Sequence, residues 1–118
     1  MINNLVSIIF LISVLSLIAG CGENEARFSL VNESGQVISD GSVTVLDQSF
    51  EFGKVDAGRT VSGAINIETD SHYVVKINFS NGERLEKEIG YMTRGFDFED
   101  EITVTRGDVI IKNHLVIN

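Results

Sequence analysis

The side chains best suited to covalent chemistry are few in this chain of 118 residues. It has one cysteine, Cys21, and two histidines, His72 and His114. A single cysteine excludes an intrachain disulfide framework and a cysteine-rich zinc site. Asp70, Ser71 and His72 are the residue types of a nucleophilic triad, but neighbours along a strand point to opposite faces. We therefore expect a protein that is not an enzyme and that needs no cofactor or metal.

The densest charged segment runs from Asp97 to Glu101 and reads Asp-Phe-Glu-Asp-Glu. Carboxylates that converge from a loop bind Ca²⁺, but the spacing of an EF-hand loop is absent here. The simplest interpretation is a solvated acidic loop, and the alternative is an acidic patch that binds a partner protein. The candidate acidic residues are Asp97, Glu99, Asp100 and Glu101. Phe96 and Phe98 interleave with them, which predicts either core residues or an apolar anchor within such an interface.

A second candidate contact segment, Gly90 to Phe96, directly precedes the acidic run. Two glycines bracket Tyr91 and Arg94, and Phe96 directly follows the second glycine. These side-chain types are enriched at the centres of protein interfaces. The alternative is an ordinary loop in which Tyr91 caps the core.

The net charge of the chain bears on which classes of molecule it can bind. The chain has 9 Lys and Arg against 17 Asp and Glu, a net charge of -8. Binding to nucleic acid requires a basic surface that replaces counterions, so we expect no such activity. An acidic surface instead speeds association with a basic protein.

The first twenty residues differ in kind from the rest, because they carry no charged side chain. The apolar run from Leu5 to Ala19 would be about 22 Å long as a helix. A bilayer core is about 30 Å thick, so the length favours the apolar part of a signal peptide over a permanent span. The run ends in Ile18, Ala19, Gly20 and Cys21.

This ending resembles the lipobox of bacterial lipoproteins, and the resemblance covers residues 1–21 only. It implies that signal peptidase recognises Ile18, Ala19 and Gly20, cleaves before Cys21, and leaves a lipid on the Cys21 sulfur. The leader departs from the pattern because no Lys or Arg precedes the apolar run. The implied location is a lipid-anchored protein at the cell membrane. Gly22 favours the periplasmic face of the outer membrane if the source is Gram-negative.

Beyond the leader, apolar side chains recur with a period of two. Tyr73, Val75, Ile77 and Phe79 alternate with Val74, Lys76 and Asn78, and similar short runs occur throughout residues 27–118. Such alternation predicts strands with one buried face. Leu85 to Ile89 fits either a helix or a strand, and we favour the strand.

Glycine-containing turns separate these runs. Asn81-Gly82 predicts a hairpin with a type I′ turn, and Arg106-Gly107-Asp108 predicts a second hairpin. The segment Phe52 to Gly58 resembles the F-G-x-V-x-x-G turn of bacterial immunoglobulin-like domains, over seven residues. We therefore predict an all-β antiparallel sandwich, immunoglobulin-like or similar, with seven or eight strands. The expected organisation is a signal peptide at 1–20, a lipidated cysteine and tether at 21–26, and the sandwich at 27–118.

Three functions fit this organisation. The first is a membrane-anchored module that binds a partner protein at the cell envelope. The second is an anchored immunity or inhibitor protein that neutralises a toxin or a lytic enzyme. The third is a carrier of a small ligand held between the two sheets, which would require an internal apolar cavity.

Overall fold

The computed structural model describes residues 24–117. The expected signal peptide, the candidate recognition residues Ile18, Ala19 and Gly20, and the lipidation candidate Cys21 lie outside the described residues. The first strand begins at Glu25, two residues before the predicted start of the sandwich. Two residues of the expected tether are therefore part of the fold.

Eight strands and no helix make up the described chain, which confirms the predicted class and strand number. The strands are β1 (Glu25–Asn32), β2 (Ile38–Val45), β3 (Gln48–Phe52), β4 (Thr60–Asn66), β5 (Ser71–Phe79), β6 (Arg84–Met92), β7 (Asp97–Val104) and β8 (Val109–Ile117).

The strands form two four-stranded sheets that pack as a sandwich. The first sheet has the order β4-β1-β7-β8 and the second has the order β3-β2-β5-β6. The pairing is antiparallel, as predicted, except at one pair, where β1 runs parallel to β7. In an immunoglobulin domain the first two strands share a sheet, whereas here β1 and β2 lie in different sheets.

The core lies between the two inner faces, where the period-two pattern places it. Alternate residues of β5, from Tyr73 to Phe79, are buried against residues of β1 and β7 such as Phe28 and Ile102. Phe28 lies edge-on to Tyr73, with ring centroids 6.0 Å apart. The inner face of each strand is therefore set by the alternation of its own sequence.

Both predicted hairpins are present, and Leu85 to Ile89 lies in strand β6. The turn at Asn81-Gly82 is not type I′, because only Gly82 has a positive φ. The Gly82 N–H donates to the Phe79 carbonyl at 3.0 Å, and the Phe79 N–H donates to the Glu83 carbonyl at 2.9 Å. This is a longer hairpin loop in which glycine takes the left-handed position.

The acidic run from Asp97 to Glu101 is not a loop. It forms the first half of β7, an inner strand between β1 and β8. Phe98, Asp100 and Ile102 face the core and are buried, which confirms the core interpretation of Phe98. The density of charged residues predicted a loop. The run is instead a strand, because its buried positions, Phe98 and Asp100, follow the period-two alternation of a strand.

Candidate functional site

One side of the sandwich is bounded by two free strand edges. β8 is the last strand of its sheet and β6 is the last strand of the other, and the two contact each other. Within residues 24–117, β8 pairs only with β7, and β6 pairs only with β5. Backbone donors and acceptors on the outer sides of both strands are therefore available to an added strand.

An apolar groove runs between these two edges and opens to solvent. Its volume is about 470 Å³. Its lining residues are Lys87, Ile89, Gly90, Tyr91, Val109, Ile110, Ile111 and His114. The two strand edges with this lining are called the β6–β8 groove below.

Gly90 shapes the floor of the groove. Its φ is +70°, a conformation that other residues rarely adopt. A Cβ atom at this position would clash with the Ile111 Cδ1 methyl and would lie 3.2 Å from the Tyr73 ring. The absence of a side chain therefore lets the β6 backbone lie directly over the core.

A buried hydrogen-bond network lies beside this floor. The Tyr73 hydroxyl donates to Asp100 Oδ2 at 2.6 Å, and His114 Nδ1 lies 2.5 Å from Asp100 Oδ1. Tyr73 and Asp100 are buried, and the His114 ring is stacked on Phe98 with centroids 5.1 Å apart. Burial, and then the neighbouring carboxylate of Asp100, raise the pKa of Tyr73 well above its ordinary value.

This network joins both sheets, because Tyr73 lies on β5, Asp100 on β7 and His114 on β8. A buried carboxylate is costly unless donors satisfy it, and here two side chains do so. The geometry also fixes the His114 ring at the margin of the groove. Apart from the Tyr91 phenol, the residues that line the groove supply no hydroxyl or thiol nucleophile.

Charged or polar contacts close both ends of the groove. At one end, Lys87 Nζ donates to Asp108 Oδ1 at 2.6 Å, and this bond lowers the pKa of Asp108. At the other end, the Tyr91 hydroxyl donates to Asp70 Oδ2 at 3.2 Å, which raises the pKa of Tyr91. The apolar length between these ends is the part open to a ligand.

The candidate acidic residues divide between the two faces of β7. Asp97, Glu99 and Glu101 face outward beside β8, whereas Asp100 faces the core. Asp97 Oδ1 accepts from the Glu25 N–H at 2.9 Å and from Asn24, which lowers the pKa of Asp97. Asp97, Glu99 and Glu101 form a row that we call the acidic row.

The remaining predicted contact residues lie near one end of the sandwich. Tyr91 is 63% exposed and lines the groove. Arg94 is exposed, and its backbone N–H donates to Asp70 Oδ1 at 2.8 Å. Phe96 is 40% exposed, whereas Phe98 is buried. The structure therefore brings together Tyr91, Arg94 and Phe96 but separates them from Asp100 and Phe98.

Sequence reasoning missed the network and the lysine at the groove. Tyr73 and His114 are 41 positions apart in the chain and on different sheets, so only the folded chain brings both to Asp100. The sequence of β8 does indicate an apolar surface at this edge, because the consecutive residues Ile110 and Ile111 place apolar side chains on both faces of the strand. Such a run is unusual for a strand with one solvated face.

The triad residue types at Asp70-Ser71-His72 do not converge, because Ser71 and His72 lie on opposite faces of β5. Ser71 is buried, and His72 is exposed 3.8 Å from Glu88, as opposite faces of β5 require. Among residues 24–117, no cluster of three or more metal-ligating side chains occurs. In the same part of the chain, no helix is long and apolar enough to cross a membrane.

Comparison with known proteins supports the two-sheet fold and assigns no family. No protein-family model matches the chain, and no curated protein matches it. A similar solved structure is an NMR structure of a protein from Eubacterium rectale, with 14% identity and a TM-score of 0.55. The match covers 77% of this chain and 89% of that one. At this identity the similarity is one of fold alone.

Proposed function

We propose that this protein is a membrane-anchored lipoprotein whose sandwich binds a partner protein at the cell envelope. The partner contributes an extended segment that adds to the free edge of β8. The observation that carries the proposal is the β6–β8 groove itself, an apolar channel flanked by two unpaired strand edges within the described residues. Strand addition supplies backbone hydrogen bonds, and the groove selects the side chains.

The chemistry of the groove indicates the kind of segment. Side chains alternate along a strand, so every second residue of an added strand would face Ile89 and Ile111. The other residues would lie on the outer face of the sheet, two strand spacings, or about 10 Å, from the acidic row. Long basic side chains reach across that distance. The proposed segment therefore alternates apolar residues with Lys or Arg.

The lipid on Cys21 holds this module at the membrane in the proposal. Two or more acyl chains anchor a protein stably, whereas one chain binds reversibly. The partner is therefore an envelope protein that lies close to the membrane surface, and nucleic acid is not expected as a ligand.

Of the alternatives, the anchored inhibitor uses the same surface and differs in its partner, a basic toxin or lytic enzyme. The acidic row favours it as the second candidate, because steering toward a basic target raises the association rate. The small-ligand carrier has less support. The most apolar cavity described is an open groove, whereas a carrier needs an enclosed chamber.

Site-specific photocrosslinking in cells tests the proposed docking edge. A photoreactive amino acid replaces Ile110, beside the groove, in the full-length protein. The control replaces Ser62, which is exposed on β4 at the opposite edge of the same sheet. We expect one discrete crosslinked protein from position 110 and none from position 62. Equal crosslinking from both positions, or none from position 110, contradicts the proposal.

Charge reversal tests the nature of the partner once it is isolated. Glu99→Lys with Glu101→Lys reverses two of the three charges of the acidic row. Glu86→Lys with Glu88→Lys is the matched control on exposed positions of β6. We expect the first pair to slow association about tenfold or more at low salt, and the control to have a much smaller effect. Association that is unchanged in the first pair excludes recognition through the acidic row.

A further inference from the structure

The exposed apolar side chains are concentrated at one end of the sandwich. The exposed large apolar residues are Leu46, Tyr91, Phe96, Ile110, Leu115, Val116 and Ile117. All of these except Ile110 lie at or next to the end where β1 begins. Scattered apolar residues need no explanation, but a cluster marks a contact surface.

Strand registers establish that these residues share one end. Glu25, at the start of β1, pairs with Asn66 at the end of β4. Asp97, at the start of β7, pairs with Ile117 at the end of β8. In the second sheet Ser71 pairs with Met92, which places Tyr91 and the loop carrying Phe96 at a common end.

A side-chain bridge shows that the two sheets contribute to the same end. Gln48 Nε2 donates to the Asn66 carbonyl at 2.8 Å, and the Asn66 N–H donates to Gln48 Oε1 at 3.1 Å. Leu46 lies in the turn just before Gln48. The surface formed by Leu46, Phe96, Val116 and Ile117 is called the apolar end below.

The opposite end of the sandwich exposes a polar surface. Its connections, residues 33–37, 53–59, 80–83 and 105–108, expose charged and polar side chains, and none of the exposed large apolar residues lies in them. Exposed charges there include Glu33, Lys54, Asp56, Arg59 and Arg106. The two ends of the same sandwich are therefore suited to different surroundings.

The chain enters the fold at the apolar end. Asn24 is held there, because its carbonyl accepts from the Ile67 N–H at 2.9 Å and its side chain donates to Asp97 at 3.1 Å. Cys21 precedes Asn24 by three residues, which span at most about 11 Å. A lipid on Cys21 would thus bring this end, and not the other, to the bilayer surface.

We propose that the apolar end rests on the lipid surface as a second membrane contact beside the acyl anchor. The inference relies on the proposed lipidation of Cys21. Phe96, Leu46, Val116 and Ile117 enter the interfacial layer, where apolar side chains gain from partial burial. Tyr91 lies beside them, and its amphipathic ring suits the headgroup level. The contact fixes the orientation of the domain, so that the β6–β8 groove rises from the membrane with its Tyr91 end lowest.

The charges at this end select the lipid headgroup. Asp47, Glu68 and Asp70 are exposed there, against the exposed guanidinium of Arg94 in the adjoining loop. The nearby Arg27 is already paired with Glu25 at 2.9 Å. An acidic rim is repelled by anionic headgroups and tolerates zwitterionic ones. The proposed surface is therefore a zwitterionic bilayer such as one of phosphatidylethanolamine and phosphatidylcholine.

Tryptophan fluorescence provides a clean test, because the chain contains no tryptophan. The lipidated full-length protein is reconstituted into phosphatidylethanolamine–phosphatidylcholine vesicles with brominated acyl chains. One variant carries Phe96→Trp, a second carries Val116→Trp, and the control carries Ala57→Trp in an exposed turn at the opposite end. Flotation with the vesicles is measured on the same samples.

We expect the tryptophans at positions 96 and 116 to shift to the blue and to lose roughly half or more of their emission, since interfacial side chains enter about 5–10 Å into the lipid boundary. The tryptophan at position 57 should show neither change. Protein that floats with vesicles while positions 96 and 116 behave like position 57 overturns the proposed contact and leaves the anchor intact. Protein that does not float overturns the lipidation, and the contact with it.

Discussion

The Tyr73–Asp100–His114 network gives the sharpest test of how the two sheets are held together. Tyr73→Phe removes one hydroxyl and leaves the ring that packs on Phe28. The buried carboxylate of Asp100 then loses the donor at 2.6 Å and keeps only His114. Tyr91→Phe is the matched control, because that hydroxyl also donates to a carboxylate but is exposed.

The expected loss follows from the charge and burial of the acceptor. A hydrogen bond to a charged group contributes about 1.5–3 kcal/mol, so we expect Tyr73→Phe to lower the free energy of unfolding by about 2 kcal/mol at pH 8. For a domain of this size that corresponds to a fall of roughly 8–16 °C in Tm. The Tyr91→Phe control should leave Tm unchanged within the error of the measurement, because that hydroxyl is exposed to solvent.

The loss should also depend on pH. Burial and Asp100 raise the pKa of Tyr73 in the folded protein, whereas the unfolded chain releases the same proton at about pH 10. The stabilisation is therefore complete below about pH 10 and falls above it, by about 1.4 kcal/mol per pH unit. Phenylalanine has no proton to release. At pH 11 the difference between the wild type and Tyr73→Phe should shrink from about 2 to about 0.6 kcal/mol.

Urea denaturation at pH 8 and pH 11 of residues 22–118, which contain all eight strands and lack both the leader and Cys21, measures both quantities. Three proteins are compared at each pH: the parent, Tyr73→Phe and Tyr91→Phe. A difference between the parent and Tyr73→Phe that is the same at both pH values refutes the assigned pKa shift. Equal effects of the two tyrosine substitutions at pH 8 refute the reasoning from burial.

Two further substitutions test the groove floor and the core. Gly90→Ala should lower the free energy of unfolding by about 2–4 kcal/mol, because the new Cβ combines an unfavourable positive φ with a clash against Ile111 and Tyr73. The control Gly58→Ala also has a positive φ, but its Cβ meets open space, so the free energy of unfolding should fall by only about 1 kcal/mol. Equal thermal shifts would refute the clash. The buried Thr103 hydroxyl has no hydrogen-bond partner within the described residues, so Thr103→Val should leave stability unchanged or raise it by about 1 kcal/mol in a thermal melt. A clear loss would show that the hydroxyl is bonded.

Local features of this protein are determined by the sequence alone. Alternation from Tyr73 to Phe79 predicts which side chains are buried, because a strand turns successive side chains to opposite faces. The hairpins at Gly82 and Gly107 follow from short-range turn chemistry. The expected signal peptide also needs no tertiary information, because a signal peptidase would read it in an extended chain.

Pairing between distant segments is decided only by the tertiary structure. No local signal sets β1 parallel to β7 rather than beside β2, because that choice depends on how all eight strands close around one core. The burial of Asp100 is likewise decided by the tertiary structure, because its charge alone would place this side chain in solvent. It is buried because Tyr73 and His114, from two other strands, supply its hydrogen bonds, and a carboxylate without those donors would cost too much free energy to bury.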